Sequence, residues 1–324
     1  MNTRRFYSRM AAVLAFAAVY SPTAPAAESE RVVIPGFERP ESVVHDTMLD
    51  LYLVSNVGVL PPSGFPGALD HNGFISRVSP EGIILDLKWI RDGTNGVILN
   101  SPKGMWLHRH ALYVADVDTL RIFDRFTGFP IRNIAMPNPF APSSLFLNDV
   151  VVADDGTAYL TDNLNSAIFT VENDGRASVL ASGPQVGAPN GILADESGIT
   201  WVTFLGHEIR RLKRSGKIVT EAVLPAVDVS GLQLAPGVPL PPGALLLDGY
   251  GRFEGGLLVS SWVTGKVYRI GRSGKEIETV VEVKGALSSP PPDGPADLNI
   301  DQMRNRLLIP LFNANQLLIV PLED

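Results

Sequence analysis

Six short motifs recur along the chain, and one position of each carries a residue type suited to a cation or to its surroundings. These are Glu41 in Pro-Glu-Ser, Lys103 in Pro-Lys-Gly, Asn148 in Asn-Asp-Val, Asn190 in Pro-Asn-Gly, Asp248 in Asp-Gly and Ala296 in Pro-Ala-Asp. Two carboxylates and two carboxamides at equivalent points make an all-oxygen ligand set. Calcium takes about six to eight oxygens from carboxylates, amide carbonyls and water. Glu41 and Asp248 would offset the charge of the ion, and Asn148 and Asn190 would add neutral oxygens. The chain has no cysteine, and no repeat position holds a histidine, which disfavours zinc or copper. One divalent metal is therefore expected, with Ca2+ favoured and Mn2+, Mg2+ or Zn2+ as alternatives. Singly, an Asn or Asp before Gly is a turn residue; the recurrence of four such oxygens is what argues for a shared site.

Other residues near these motifs have two readings each. Lys103 suits a carboxylate or phosphate on a substrate, and equally a partner in Glu41 or Asp149. Asp149 and Asp297 follow ring positions and are candidates for orienting the ligands. Trp262 offers either an aromatic face to substrate or a core filler. Asp116 and Asp162 are expected to cap strand ends and the turns after them. His45 and His207 are expected to be satisfied structural histidines, and His108 and His110 to be solvated.

The elements that must position these residues are strands. Short apolar runs rich in Val, Ile, Leu, Tyr and Trp are cut by Gly, Pro, Asn and Asp, with no sustained helical period. Each motif opens a unit whose second run is clear, as in Leu51–Ser55, Leu112–Asp116, Asp155–Asp162, Ile199–Thr203, Gly256–Ser260 and Arg306–Pro310. Third and fourth runs follow, such as Phe74–Val78 and Ala177–Leu180. The anchors are 62, 45, 42, 58 and 48 residues apart, the size of a four-stranded propeller blade. The chain is therefore predicted to be all-β, a six-bladed β-propeller with four-stranded blades around a central metal-binding channel. Two long intervals carry insertions, Val57–Asn72 and Pro225–Gly243, expected as loops beside the pocket. The run Arg31–Ile34 precedes the first unit and is predicted to complete the last blade as its outer strand, removing free sheet edges.

The first 26 residues read as a signal peptide. Arg4, Arg5 and Arg9 precede an apolar run, Met10–Tyr20, and the small-residue site Ala24-Pro25-Ala26, with cleavage expected before Ala27. That run is shorter than a bilayer span of about 20 residues. Arg4-Arg5 hints at twin-arginine export. The product, residues 27–324, is expected as one propeller domain, periplasmic or secreted, with no membrane insertion after leader removal. Loss of the leader's three basic residues takes the formal charge from −7 to −10. An acidic chain without a basic tract argues against nucleic acid or an anionic membrane as partner and leaves a small-molecule substrate. Without disulfides, stability must come from the core that nearly 300 residues can bury.

The motifs Pro40-Glu41-Ser42, Asn148-Asp149-Val150, Pro189-Asn190-Gly191 and Asp248-Gly249 resemble those of the regucalcin-like senescence marker protein/gluconolactonase family of propellers. The resemblance spans essentially the whole mature chain, with one Glu, two Asn and one Asp in the same order. It implies that these four side chains bind a catalytic metal through one oxygen each, and that the reaction is hydrolysis of a small lactone or ester. It also implies Asp248 as general base on a water, or as nucleophile. Lys103 matches no residue of the family pattern, and Ala296 leaves the sixth unit without a ligand. The alternatives are a non-catalytic exported propeller that binds a small ligand or protein partner around a structural metal, and a strictosidine-synthase-like lyase. The complete oxygen set counts against the lyase.

Overall fold

A computed structural model describes residues 31–235, 238–283 and 293–322. The expected leader, residues 1–26, lies outside the described residues. Six four-stranded antiparallel sheets follow one another in chain order. Blade 1 comprises Pro40–Asp46, Leu51–Asn56, Phe74–Val78 and Ile84–Arg91. Blade 2 comprises Pro102–His108, Ala111–Asp116, Thr119–Asp124 and Pro130–Ala135. Blade 3 holds Leu147–Val152, Ala158–Asp162, Ala167–Val171 and Ala177–Ser182, and blade 4 holds Pro189–Asp195, Gly198–Thr203, Glu208–Lys213 and Ile218–Val223. Leu247–Phe253, Gly256–Ser261, Lys266–Ile270 and Ile277–Glu282 form blade 5.

Blade 6 is made from both ends of the described chain. Asn299–Asp301, Arg306–Leu311 and Gln316–Pro321 are completed by Val32–Pro35, which pairs with Gln316–Pro321 in the register Val32–Ile319 to Pro35–Gln316. The outer strand expected at Arg31–Ile34 is thus present, shifted by one residue.

The innermost strands of the six blades pack one on the next around a closed ring, that of blade 6 also touching that of blade 1. Burial follows this order. Pro40–Asp46 and Leu147–Val152 are buried throughout, whereas Ala177–Ser182 on the rim alternates with solvent. Apolar side chains fill the wedges between neighbouring blades, as where Leu120 and Ile134 of blade 2 meet Leu147, Val150 and Phe169 of blade 3. Each fully buried side chain of this kind contributes about 1.5–3 kcal/mol, which stands in for the missing disulfides. The insertion at 225–243 contains a small hairpin, Gln233–Ala235 with Val238–Pro239.

Candidate metal centre

Each ring residue sits at the same irregularity of its blade. Pro40 pairs with Asn56, but Val43 pairs with Val54, so Glu41 and Ser42 together oppose one residue of the second strand. The same slip places Lys103 and Gly104, Asn148 and Asp149, Asn190 and Gly191, and Asp248 and Gly249 opposite a single partner. In blade 6 Pro295 bridges Leu311 while Asn299 pairs with Leu308, again one residue in excess. This is a β-bulge, which breaks the in–out alternation of a strand and re-aims a side chain. The six ring residues thus share one irregular setting, and in it Glu41 is near enough to Asp248 and Lys103 to feel both charges.

The ring side chains are buried: Asn190 is 1% exposed, Lys103 1%, Glu41 5%, Asp248 5% and Asn148 8%. Several of their polar atoms have no hydrogen-bond partner, namely Glu41 Oε2, Asp248 Oδ1 and both terminal atoms of Asn190. Buried polar atoms are ordinarily paired, and leaving one unpaired costs about 1–3 kcal/mol. Electrostatics make the same point. Burial, then Asp248 and Asp297, hold the Glu41 carboxyl well above the usual carboxylate range, while Lys103 opposes the rise. Burial and Asp297 raise Asp248 in the same way. The Asn190 amide lies near enough to temper that rise, though its contact falls short of hydrogen-bond geometry. A divalent cation would answer both deficits, partnering the orphaned oxygens and cancelling the repulsion, so these residues fit one. Among the described residues no three Asp, Glu, His or Cys side chains converge as a ligand group. The candidate set is instead two carboxylates with two carboxamides, a combination suited to a hard cation.

The residues after the ring positions hold the bulges. The amides of Ser42, Asp149 and Gly249 donate to the hydroxyls of Ser55 (2.9 Å), Thr161 (3.0 Å) and Ser260 (2.7 Å) in the second strands of alternate blades. Asp149 accepts from the Val150 amide at 2.7 Å and from the Ile192 amide of blade 4 at 2.8 Å. Asp297 accepts from the Leu298 amide at 2.7 Å and from the Ser42 hydroxyl of blade 1 at 2.6 Å. Both carboxylates thus tie one inner strand to the next rather than pointing freely into the pocket. Burial still raises Asp149, and it brings Asp297 to about 6 against the hydrogen bond from Ser42. The three hydroxyls were not singled out from the sequence, although their recurrence at the end of alternate second runs is a legible signal.

The remaining candidates divide. Lys103 Nζ donates to the Ser101 carbonyl at 3.0 Å and lies 4.4 Å above the Phe146 ring. Trp262 packs 5.5 Å from Phe312, in a cluster with Val57, Leu60 and Ala296, and its buried Nε1 lacks an acceptor. The sixth ring position therefore belongs to an apolar wall, opposite in character to the other five. Asp116 receives the Asn100 and Ser101 amides and Arg121, and Asp162 receives Asn165, so both organise loops. His45 bonds Asp50 at 3.2 Å and His207 bonds the Gly243 carbonyl at 3.1 Å.

No protein-family model matches the chain, and no curated protein matches it. Solved structures do. A streptogramin B lyase shares 11% identity over 91% of this chain and 98% of that one, with a TM-score of 0.58. A virginiamycin B lyase from Staphylococcus aureus shares 14% over 91% and 100%, with a TM-score of 0.54. A candidate gluconolactonase shares 15% over 91% and 93%, with a TM-score of 0.60. At such identities the likeness is one of fold. The gluconolactonase-type propeller expected from the opening motifs is among these structural neighbours.

Proposed function

We propose that the protein is a metal-dependent hydrolase of a small lactone or ester. The observation that carries this reading is the set of buried, unpartnered oxygens on Glu41, Asn190 and Asp248, all raised on bulges of inner strands. With Asn148 at the same position of blade 3, these residues would hold one divalent ion, Ca2+ by preference. When bound, the ion would supply Lewis-acid polarisation of the acyl carbonyl. The chain's own part is then positional. Asn148 and Asn190 add oxygens without charge, and Glu41 and Asp248 add the charge. Asp248 takes the proton from the attacking water as the water oxygen bonds the acyl carbon, and passes it to the departing alkoxide. Alternatively it attacks the acyl carbon itself, with loss of the same alkoxide, to give an anhydride that water then cleaves. The apolar wall of Val57, Ala296, Phe312 and Trp262 takes the non-reacting part of the substrate and excludes bulk water.

The lyase neighbours prompt a different reading. One is described as a catalytically inactive histidine-to-alanine variant. The two carboxylates and two carboxamides at the ring positions of this chain favour hydrolysis at a metal over that reading. A leader of the kind read at residues 1–26 supports a periplasmic or secreted site of action.

Metal analysis of the purified protein, followed by a panel of lactones and esters with and without chelator, tests the proposal. Stoichiometric metal and chelator-sensitive turnover are expected. Bound metal with no turnover on any ester would favour a binding propeller with a structural ion, and absence of metal binding would sink both readings.

A further inference from the structure

Lys103 is the one ring residue with the wrong charge for a cation site, and it is 1% exposed. An ammonium has three N–H donors. One goes to the Ser101 carbonyl, and the Phe146 ring covers another side. Lys88 and Lys266 each pair with a glutamate, whereas among the described residues no carboxylate oxygen lies within 4.0 Å of Lys103. The carboxylates that act on it from farther away are Glu41, Asp116 and Asp70. Asp116 is already committed to Arg121 at 2.9 Å and to two backbone amides. Glu41 is one of the proposed metal ligands. Asp70, on the 57–72 loop, accepts the Asn72 amide at 3.4 Å and acts on Lys103 only from a distance. With a dication held by Glu41 and Asp248, Lys103 is left without a carboxylate in direct contact.

Burying such a charge without a partner is costly, and an apolar chain of the same length would fill the space more favourably. Lys103 nonetheless sits on the same bulge as the proposed ligands and within electrostatic reach of Glu41. The first insertion backs the lysine's surroundings: Phe65 packs with its ring tilted 5.1 Å from Phe146, and the Ser101 hydroxyl donates to the Ala68 carbonyl at 3.1 Å. The cation therefore stands beside the loop at 57–72, with only blade 1 between it and the Ala296 position, and Val57 and Leu60 of that same loop join the apolar wall.

We propose that Lys103 recognises a carboxylate on the substrate, so that the pocket selects small lactones or esters bearing one carboxylate over their neutral counterparts. This rests on the hydrolase reading for the reaction, but not for the binding. A compact ammonium with a third N–H beyond those facing the Ser101 carbonyl and the Phe146 ring suits a carboxylate.

The test compares metal-loaded wild type with Lys103→Met and Lys103→Arg. Hydrolysis of paraconate, a γ-butyrolactone bearing a carboxylate, is measured against its methyl ester. The preference in kcat/KM for paraconate should fall by about tenfold or more in Lys103→Met, the size of one hydrogen bond to a charged group, and recover in part in Lys103→Arg. The thermal midpoint of Lys103→Met should equal or exceed that of wild type, whereas a lysine serving as structural counter-ion to Glu41 would lower it. An unchanged preference across the three proteins overturns the proposal while leaving the hydrolase intact. Calorimetry with cyclopentanecarboxylate and cyclopentanecarboxamide decides the matter if no lactone is turned over. Carboxylate binding that weakens about tenfold in Lys103→Met supports recognition by Lys103; equal affinity for both ligands, or a carboxylate affinity that Lys103→Met leaves unchanged, overturns it.

Discussion

At the scale of single residues, the shared bulge position of Glu41, Asn148, Asn190 and Asp248 was legible because each opens a repeat, and comparison of repeats sets these positions apart from ordinary turn Asn and Asp. What the repeats did not reveal is the work of Asp149 and Asp297, whose neighbours in space come from other blades. Asp248→Asn keeps the shape and removes the charge and the basicity. Turnover should fall by at least about 100-fold, the usual worth of a positioned acid or base. Ca2+ affinity should fall by roughly tenfold or more, since ligand charge sets affinity in oxygen sites. Steady-state kinetics and calorimetric titration of metal check the two effects separately; full activity in this variant would remove Asp248 from the mechanism. The buried carboxyls also give the chelated protein a pH signature. Asp297 holds its proton to about 6 when folded, against 3.8 as the ordinary value. A group raised in this way contributes stability that is fully present below its unfolded pKa and is lost as pH rises through the folded one. Glu41, Asp149 and Asp248 are shifted in the same direction. The melting midpoint of the chelated protein should therefore decline as pH rises through about 6, with a shallower decline in Asp297→Asn. A midpoint that climbs over this range would show that the carboxyls are ionised and paired in the folded protein.

At the scale of elements, the inner strand is more than a hydrophobic run with a ligand at its start. The bulge needs a small residue, or one that bridges blades, directly after the ring position, and the chain supplies Ser42, Gly104, Asp149, Gly191, Gly249 and Asp297. A Cβ on Gly191 would stand 2.4 Å from the Asp248 carbonyl oxygen and 2.8 Å from Tyr250 Cβ, both atoms of the next blade. On Gly249 it would stand 2.4 Å from the Leu298 amide nitrogen. Glycine here serves close approach of two backbones rather than a special φ. Gly after Asn or Asp reads as a turn in the sequence, and that pattern concealed the bulge: the same dipeptide serves both, and only register tells them apart. Gly191→Ala should force blades 4 and 5 apart at the level of the site, costing about 1–3 kcal/mol as an overpacking change. Because the displaced strand carries Asp248, metal affinity should drop together with stability. Chemical denaturation and metal titration on the same samples test the linkage. Lost stability with unchanged metal affinity would mean that the strain is absorbed away from Asp248.

At the scale of the whole molecule, six blades and their order were legible from spacing alone, because a blade cannot bury its faces without neighbours and so repeats at a fixed length. Ring closure was partly legible: the run at residues 31–34 looks like a strand without a unit, but the side chains that lock it come from opposite ends of the sequence. Tyr52 donates to Asp301 at 2.6 Å, Arg306 reaches both, and Arg304 joins Asp50 to Asp301. Arg39 and Phe37 hang by their amides from the side chain and carbonyl of Asn315. Blade 6 thus cannot complete itself until the segment around Val32–Pro35 returns to it. A truncated variant that begins at Phe37 removes that strand and uncovers the edge of Gln316–Pro321, most of whose side chains are buried. Ile34, itself 5% exposed, is lost from the core with it. The cost should be about 2–4 kcal/mol, one buried aliphatic side chain together with part of a strand ladder. The open edge should add concentration-dependent aggregation, since an unpaired strand is a template for another chain. Denaturation midpoints and light scattering measured at several protein concentrations check both effects. A truncated protein that stays monomeric with the midpoint of the full chain would show that the side-chain lock between Tyr52, Asp301 and Arg306 closes the ring without the strand.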